Sequence, residues 1–134
     1  MIEKQLVKEY PNKPRLDSPG DVASMCEDIR DSEVETVAAF LMDARLKVIR
    51  REIISIGNID SSIMCPREIF KRAVLCNARS VILVHNHPSG DTKPSDEDIE
   101  ITARLREAGE HLNVTIHDHI IVTADSFKSI IGEV

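Results

Sequence analysis

Tryptophan is absent from this chain, and aromatic residues make up only 3% of it. Surfaces that read single-stranded nucleic acid stack bases on aromatic rings, so the composition argues against such a platform. Positive charge is also in the minority. Seventeen Lys and Arg stand against 23 Asp and Glu, for a net charge of −6 and a pI near 5.3. Broad attraction to a polyanion needs the opposite balance. Two local basic clusters (Arg45, Lys47, Arg50 and Arg51; Arg67, Lys71 and Arg72) read as solvated faces. The three cysteines, Cys26, Cys65 and Cys76, are odd in number and form no C-x-x-C pair. They read as reduced packing thiols, which excludes a disulfide framework and a zinc ribbon. No apolar run approaches the length of a membrane span. The opening MIEKQLVKEYPNK lacks the apolar stretch of a signal peptide, so a cytoplasmic protein with no membrane partner is expected. Internal repeats and low-complexity segments are missing as well.

What the chain does have is enough for one core: 134 residues, 42% of them hydrophobic. Residues 1–16, polar and carrying Pro11 and Pro14, are expected to form an N-terminal arm with no core of its own. Residues 17–134 then make a single domain. Ser18 as cap and Pro19 in the first turn start a helix expected to run to about Arg30. Residues 35–42, ETVAAFLM, are almost wholly apolar, as in a strand covered on both faces. A turn at Asp43 to Arg45 and a second strand over residues 48–56 make a hairpin, which Gly57 and Asn58 end. Pro66 opens a helix with Ile69, Ala73 and Cys76 at helical spacing. Residues 80–84, SVILV, form a short buried strand. A long helix over residues 95–112, a strand over 114–122 and a closing helix over 126–131 complete the reading. Helices alternating with strands predict an α/β domain, a mixed β-sheet flanked by helices.

The segment HNHPSGDTKPSDED, residues 85–98, carries the chemistry. On a strand, residues two apart face the same side, so His85 and His87 project together. Pro88, Ser89 and Gly90 then bend the chain. The following helix has an apolar stripe at Ile101, Leu105, Ala108 and Leu112. Stepping back along it by threes reaches Asp98 and then Ser95, which sets both on the inward face. A buried carboxylate is costly unless it is paired or bound to a cation. Two His and one Asp, with the fourth position open, suit a catalytic zinc site. Ser95 and Asp98 also read as a capping box, and a capping serine can still present its hydroxyl to a substrate. His117-Asp118-His119 is a second cluster whose histidines share one strand face. No third ligand stands at metal spacing from it. Asp118, on the face of Val114, Ile116, Ile120 and Val122, reads as a structural carboxylate or one orienting a ligand histidine.

These residues resemble a known family. H-x-H-P-S-G, with Ser95 eight and Asp98 eleven residues after His87, is the motif of JAMM (MPN-plus) metallopeptidases. The fuller string, preceded by SVILV, looks like the RadC branch of that family. SPGDVASM, FLMDARLKVI, PREIFKRAV and DHIIV look like RadC segments in RadC order, so the resemblance covers roughly residues 17–131. It implies the JAB/MPN (deaminase-like) fold, a Zn2+ cofactor held by His85, His87 and Asp98, and two catalytic residues. Glu35, which directly precedes the apolar strand, matches the family's upstream glutamate as general base, with Glu33 the near competitor. Ser95 matches the oxyanion donor. The implied activity is hydrolysis of a peptide or isopeptide amide by a metal-activated water, on an unknown peptide or protein substrate.

Longer RadC proteins carry an N-terminal helix-hairpin-helix region associated with DNA binding. No such region is found in this sequence, which argues against nucleic acid as a partner of this domain alone. Zinc deaminases need a Pro-Cys-x-x-Cys that is missing, and the H-x-H-x-D-H of metallo-β-lactamase-like enzymes fails at Ser89. The competing class is a noncatalytic RadC-like interaction module with a structural metal, linked to DNA repair. Metal binding by all three ligands and loss of activity on changing Glu35 discriminate the two.

Overall fold

The computed structural model describes residues 6–57 and 64–131. The elements run β1 (Val7–Glu9), α1 (Pro19–Ser24), α2 (Glu27–Arg30), β2 (Thr36–Met42), β3 (Val48–Ile56), α3 (Pro66–Leu75), β4 (Ser80–Asn86), α4 (Asp96–Leu112), β5 (Thr115–Val122) and β6 (Phe127–Ser129). The strands form a mixed sheet in the order β1-β3-β2-β4-β5-β6, in which only β4 and β5 pair in parallel. This is the expected α/β architecture. Asn58, expected with Gly57 to end β3, and residues 1–5 of the expected arm lie outside the described residues.

Every residue of β2 is buried, and strand alternation divides them between two cores. Val37, Ala39 and Leu41 join Val81 and Leu83 of β4 under α3 and α4. Ala38, Phe40 and Met42 join Ile82 and Val84 under the short helices α1 and α2. Helices on both faces explain why the strand reads as a continuous apolar run.

The structure departs from expectation in several places. The helix expected to reach Arg30 breaks at Met25 and Cys26. Arg51 of β3, buried in that face, reaches the break and donates to the Met25 carbonyl at 3.5 Å and to the Asp28 carboxylate at 2.8 and 2.6 Å. Within residues 126–131, Phe127–Ser129 form a strand where a helix was expected. Thr123 and Ser126 close a turn that returns Phe127–Ser129 along the open edge of β5, where unpaired backbone groups are available. Within the expected arm, Val7–Glu9 adds an exposed edge strand to β3. Finally, Leu112 of the expected inward stripe is exposed, and Gly109 takes its place in the interior.

Candidate metal centre

The β4 strand continues through Asn86, so strand alternation holds across both histidines. His87 N–H donates to the Val122 carbonyl and carries the pairing with β5 one residue further. His85 and His87 therefore turn their rings to the face covered by α4. Their Nε2 atoms stand 2.9 Å apart. Asp98 Oδ1 lies 3.5 Å from the first and Oδ2 3.4 Å from the second. Among the described residues, His85, His87 and Asp98 are the one cluster of His, Cys, Asp or Glu with metal-holding geometry. A tetrahedral zinc with bonds of about 2.0–2.1 Å separates its ligand atoms by roughly 3.3 Å, close to these spacings.

The capping box aims the carboxylate. Ser95 Oγ accepts from Asp98 N–H at 3.0 Å, and Asp98 Oδ2 accepts from Ser95 N–H at 2.9 Å. The turn at Gly90, in the left-handed region at φ 88, brings the Asp91 carbonyl to within 2.8 Å of His87 Nδ1.

Hydrogen-bond polarity sets the tautomers. A carbonyl only accepts, so His87 Nδ1 carries its hydrogen toward Asp91, and Nε2 keeps a lone pair. Behind His85, Nδ1 lies 2.7 Å from Nε2 of the buried His119, whose Nδ1 lies 2.6 Å from Thr102 Oγ1. The Thr102 hydroxyl donates to the Asp98 carbonyl at 2.7 Å, so it accepts from His119 Nδ1–H. Burial holds His119 well below the usual histidine range and keeps it neutral. Its Nε2 is then an acceptor, His85 Nδ1 the donor, and His85 Nε2 bare. Two lone pairs and a carboxylate converge, a donor set that calls for a cation.

The hydrogen bond with Asp98 raises the His87 pKa against the opposing effect of burial, with help from the Asp91 carbonyl and the charge of Glu35. Burial pushes the Asp98 carboxyl up, but its bonds to His85 and His87 outweigh this and hold it far below the usual carboxylate range.

Comparison with known proteins agrees with this geometry. Residues 16–133 match the model of the RadC-like JAB domain. The chain belongs to the RadC family. It is 49% identical over 113 residues to a UPF0758 protein of Desulforamulus reducens, covering 84% of this chain and 50% of that one. A UPF0758 protein of Thermotoga maritima is 42% identical over 129 residues, covering 96% and 58%. One from Staphylococcus haemolyticus is 38% identical over 132 residues, covering 98% and 58%. The chain thus spans about half the length of these relatives. Its mixed six-stranded sheet with flanking helices is consistent with the JAB/MPN fold.

In this RadC-like domain, the three residues expected as ligands come together. Glu35 is partly exposed and precedes β2. The pair Val37 and His85 fixes the register, and continuing it by two sets Glu35 across from His87. Asn86, fully buried between the two histidines, clamps this segment. It accepts from Thr36 N–H at 2.7 Å and donates to the Val34 and Ser32 carbonyls at 3.0 and 3.2 Å. Glu33 is exposed. Ser95 does not point inward as expected. It is exposed at the cap, where its oxygen is an acceptor and its hydroxyl hydrogen is left for another partner.

The reading of residues 117–119 needs correction. A bulge skips His117 between the pairs Val81 with Ile116 and Ile82 with Asp118. It moves Ile120 and Val122 to the opposite core from Val114 and Ile116. Of the two roles expected for Asp118, the contacts fit the structural one: its Oδ1 accepts from Ser129 Oγ and from the His119 backbone N–H, both at 2.7 Å. His117 is exposed, while His119 alone turns toward the centre. No motif in the sequence marks Thr102, although it lies one helical turn beyond Asp98. The three cysteines are free, and none joins the centre. Among the described residues, no helix is long and apolar enough to cross a membrane.

Proposed function

We propose that this domain is a zinc-dependent hydrolase of the JAMM type that cleaves a peptide or isopeptide amide bond. The observation that carries the reading is the convergence of two bare imidazole nitrogens and one carboxylate, each ligand held from behind by a hydrogen bond. Two nitrogens and one oxygen suit zinc and leave a fourth position open, whereas structural zinc sites are closed by four protein ligands. A zinc ion there supplies a Lewis acid that lowers the pKa of water to about 7. Glu35, across from His87, takes the proton of the attacking water and delivers it to the leaving nitrogen. The Ser95 hydroxyl, its oxygen tied to the helix start, donates its remaining hydrogen to the developing oxyanion. A noncatalytic module has no use for an open position beside the carboxylate of Glu35.

Elemental analysis of protein purified without chelator is expected to find about one zinc per chain. Zinc content unchanged in a His85→Ala, His87→Ala double variant would overturn the assignment. Against a panel of peptide and isopeptide conjugates, Glu35→Gln is expected to keep zinc and lose activity by about 10²-fold or more, since an amide cannot accept the proton. Ser95→Ala is expected to lose less. Its activity must be compared at matched folded fraction, because the lost cap costs about 1 kcal/mol. Wild-type rates for Glu35→Gln alongside inactive Glu33→Gln would move the base by two residues. Full activity in both would rule out the mechanism.

A further inference from the structure

The buried histidine of β5, His119, has no place in the hydrolytic mechanism, yet it is among the most buried polar residues described. His119 and Thr102 are 1% and 0% exposed. Polar side chains are buried at this depth only when their hydrogen bonds are made, and among the described residues these two side chains bond to the centre and to each other. Their bonds form a closed path. It leaves the ligand His85 through Nδ1, passes His119 and Thr102, and ends on the backbone carbonyl of the ligand Asp98. Three separate elements, β4, β5 and α4, are tied together at the one point where ligands from two of them must meet.

The path has a direction. The Asp98 carbonyl can only accept, so each hydrogen along it points away from His85 Nε2. Reversing any one bond would leave a carbonyl facing a lone pair, or two hydrogens facing each other. We propose that His119 and Thr102 are positioning residues for the metal: they hold His85 in the tautomer whose Nε2 is bare and fix the distance between His85 and Asp98. This rests on the metal-centre reading. A Phe in place of His119 would fill the same space but leave His85 free to rotate and to carry its hydrogen on Nε2. Val in place of Thr102 keeps the shape and removes both the acceptor for His119 and the tie to Asp98.

The test is zinc affinity, measured by competition with a chromophoric chelator at one fixed pH. Thermal unfolding of the metal-free proteins serves as the control for folding. His119→Phe is expected to bind zinc about 10- to 100-fold more weakly, the usual effect of losing a partner behind a ligand histidine. Thr102→Val is expected to weaken binding as well. Thr102→Ser is expected to stay near wild type, because it keeps the hydroxyl, and His119→Gln to recover part of the loss, because its carbonyl can accept from His85. The losses in the Thr102→Val, His119→Phe double variant should be less than additive, since either change opens the same path. Nitrogen-15 NMR of the zinc-loaded wild type should find hydrogens on Nδ1 of His85 and His119. Wild-type affinity in both Thr102→Val and His119→Phe, with zinc bound to the wild type, would reduce the pair to core filling. A His119→Phe variant that fails to fold leaves Thr102→Val to decide the matter. Absence of zinc from the wild type would overturn the metal-centre reading itself, and the positioning role with it.

Discussion

At the scale of single residues, a cation at the proposed centre would have to compete with protons. Asp98 raises the pKa of His87 in the metal-free chain, so that ring holds its proton to higher pH than an unperturbed histidine does. A metal ligand must be neutral, so binding has to expel that proton. The sign follows: zinc affinity should fall as pH drops through the raised His87 value, starting above about pH 6.5. Adding zinc to weakly buffered metal-free protein should release protons near neutral pH. In Asp98→Asn, His87 loses its main source of proton affinity and the centre loses its anionic ligand. That variant should bind zinc more weakly and release fewer protons on binding. Affinity that stays flat between about pH 6 and 8 in the wild type would contradict this account.

At the scale of elements, α4 performs two tasks with one local pattern. Ser-x-x-Asp starts the helix, and the same bonds direct the Asp98 carboxylate at the histidines. Capping and the proposed ligation are compatible in one arrangement, because the cap bond uses one lone pair of a carboxylate that has several. The far end of α4 is set by packing. Gly109 faces the Phe70 ring of α3, and an added Cβ would meet that ring and collide with the Val114 carbonyl oxygen. In an open helix, Ala is favoured over Gly by about 0.8–1.0 kcal/mol. Here Gly109→Ala should instead destabilise by about 1–3 kcal/mol, as forced overpacking does. Urea unfolding of the two proteins measures the difference. A more stable variant would mean that the turn after α4 gives way at little cost. Leu112, exposed despite its heptad-like position, shows the same thing from the other side: α3 approaches through the glycine, and the stripe shifts by one residue row.

For the whole molecule, the sheet has helices on both faces, and its parallel pair, β4 and β5, is joined through α4. The centre forms where β4 ends and α4 begins, the carboxyl edge at which open α/β sheets commonly bind ligands. The opposite face is held by Arg51, whose buried guanidinium bonds Asp28 through two nitrogens. Burial pushes the Asp28 carboxyl up, but the hydrogen bonds and charge of Arg51 outweigh it, and its pKa sits below the usual value. A lowered folded pKa contributes stability that is complete above the unfolded value, about 3.9, and is lost as pH falls through the folded value. Asp28→Ala in the metal-free protein should therefore cost about 3–5 kcal/mol at neutral pH, because it removes the carboxylate that compensates the buried Arg51 guanidinium. The gap to wild type should shrink below about pH 4. A gap independent of pH would assign the loss to packing instead.

The sequence by itself determined what depends on short-range periodicity. A spacing of two puts His85 and His87 on one strand face, and a spacing of three makes Ser95 and Asp98 a cap. The apolar run of β2 required cover on both sides, and alternating elements required an α/β sheet. These follow from backbone geometry within a few residues, and the structure keeps them. Only the tertiary structure decided the rest, because each remaining feature joins residues far apart in the chain. The bulge at His117 answers to the register of β4, and β6 exists because the edge of β5 was open. The break between α1 and α2 lies where Arg51 arrives from another strand. His119 stands 34 residues from His85 and 17 from Thr102. No local pattern marks it as a partner of either, and its neighbour Asp118, on a regular strand, had the better claim. One extra residue in β5 reversed which of them faces the metal centre.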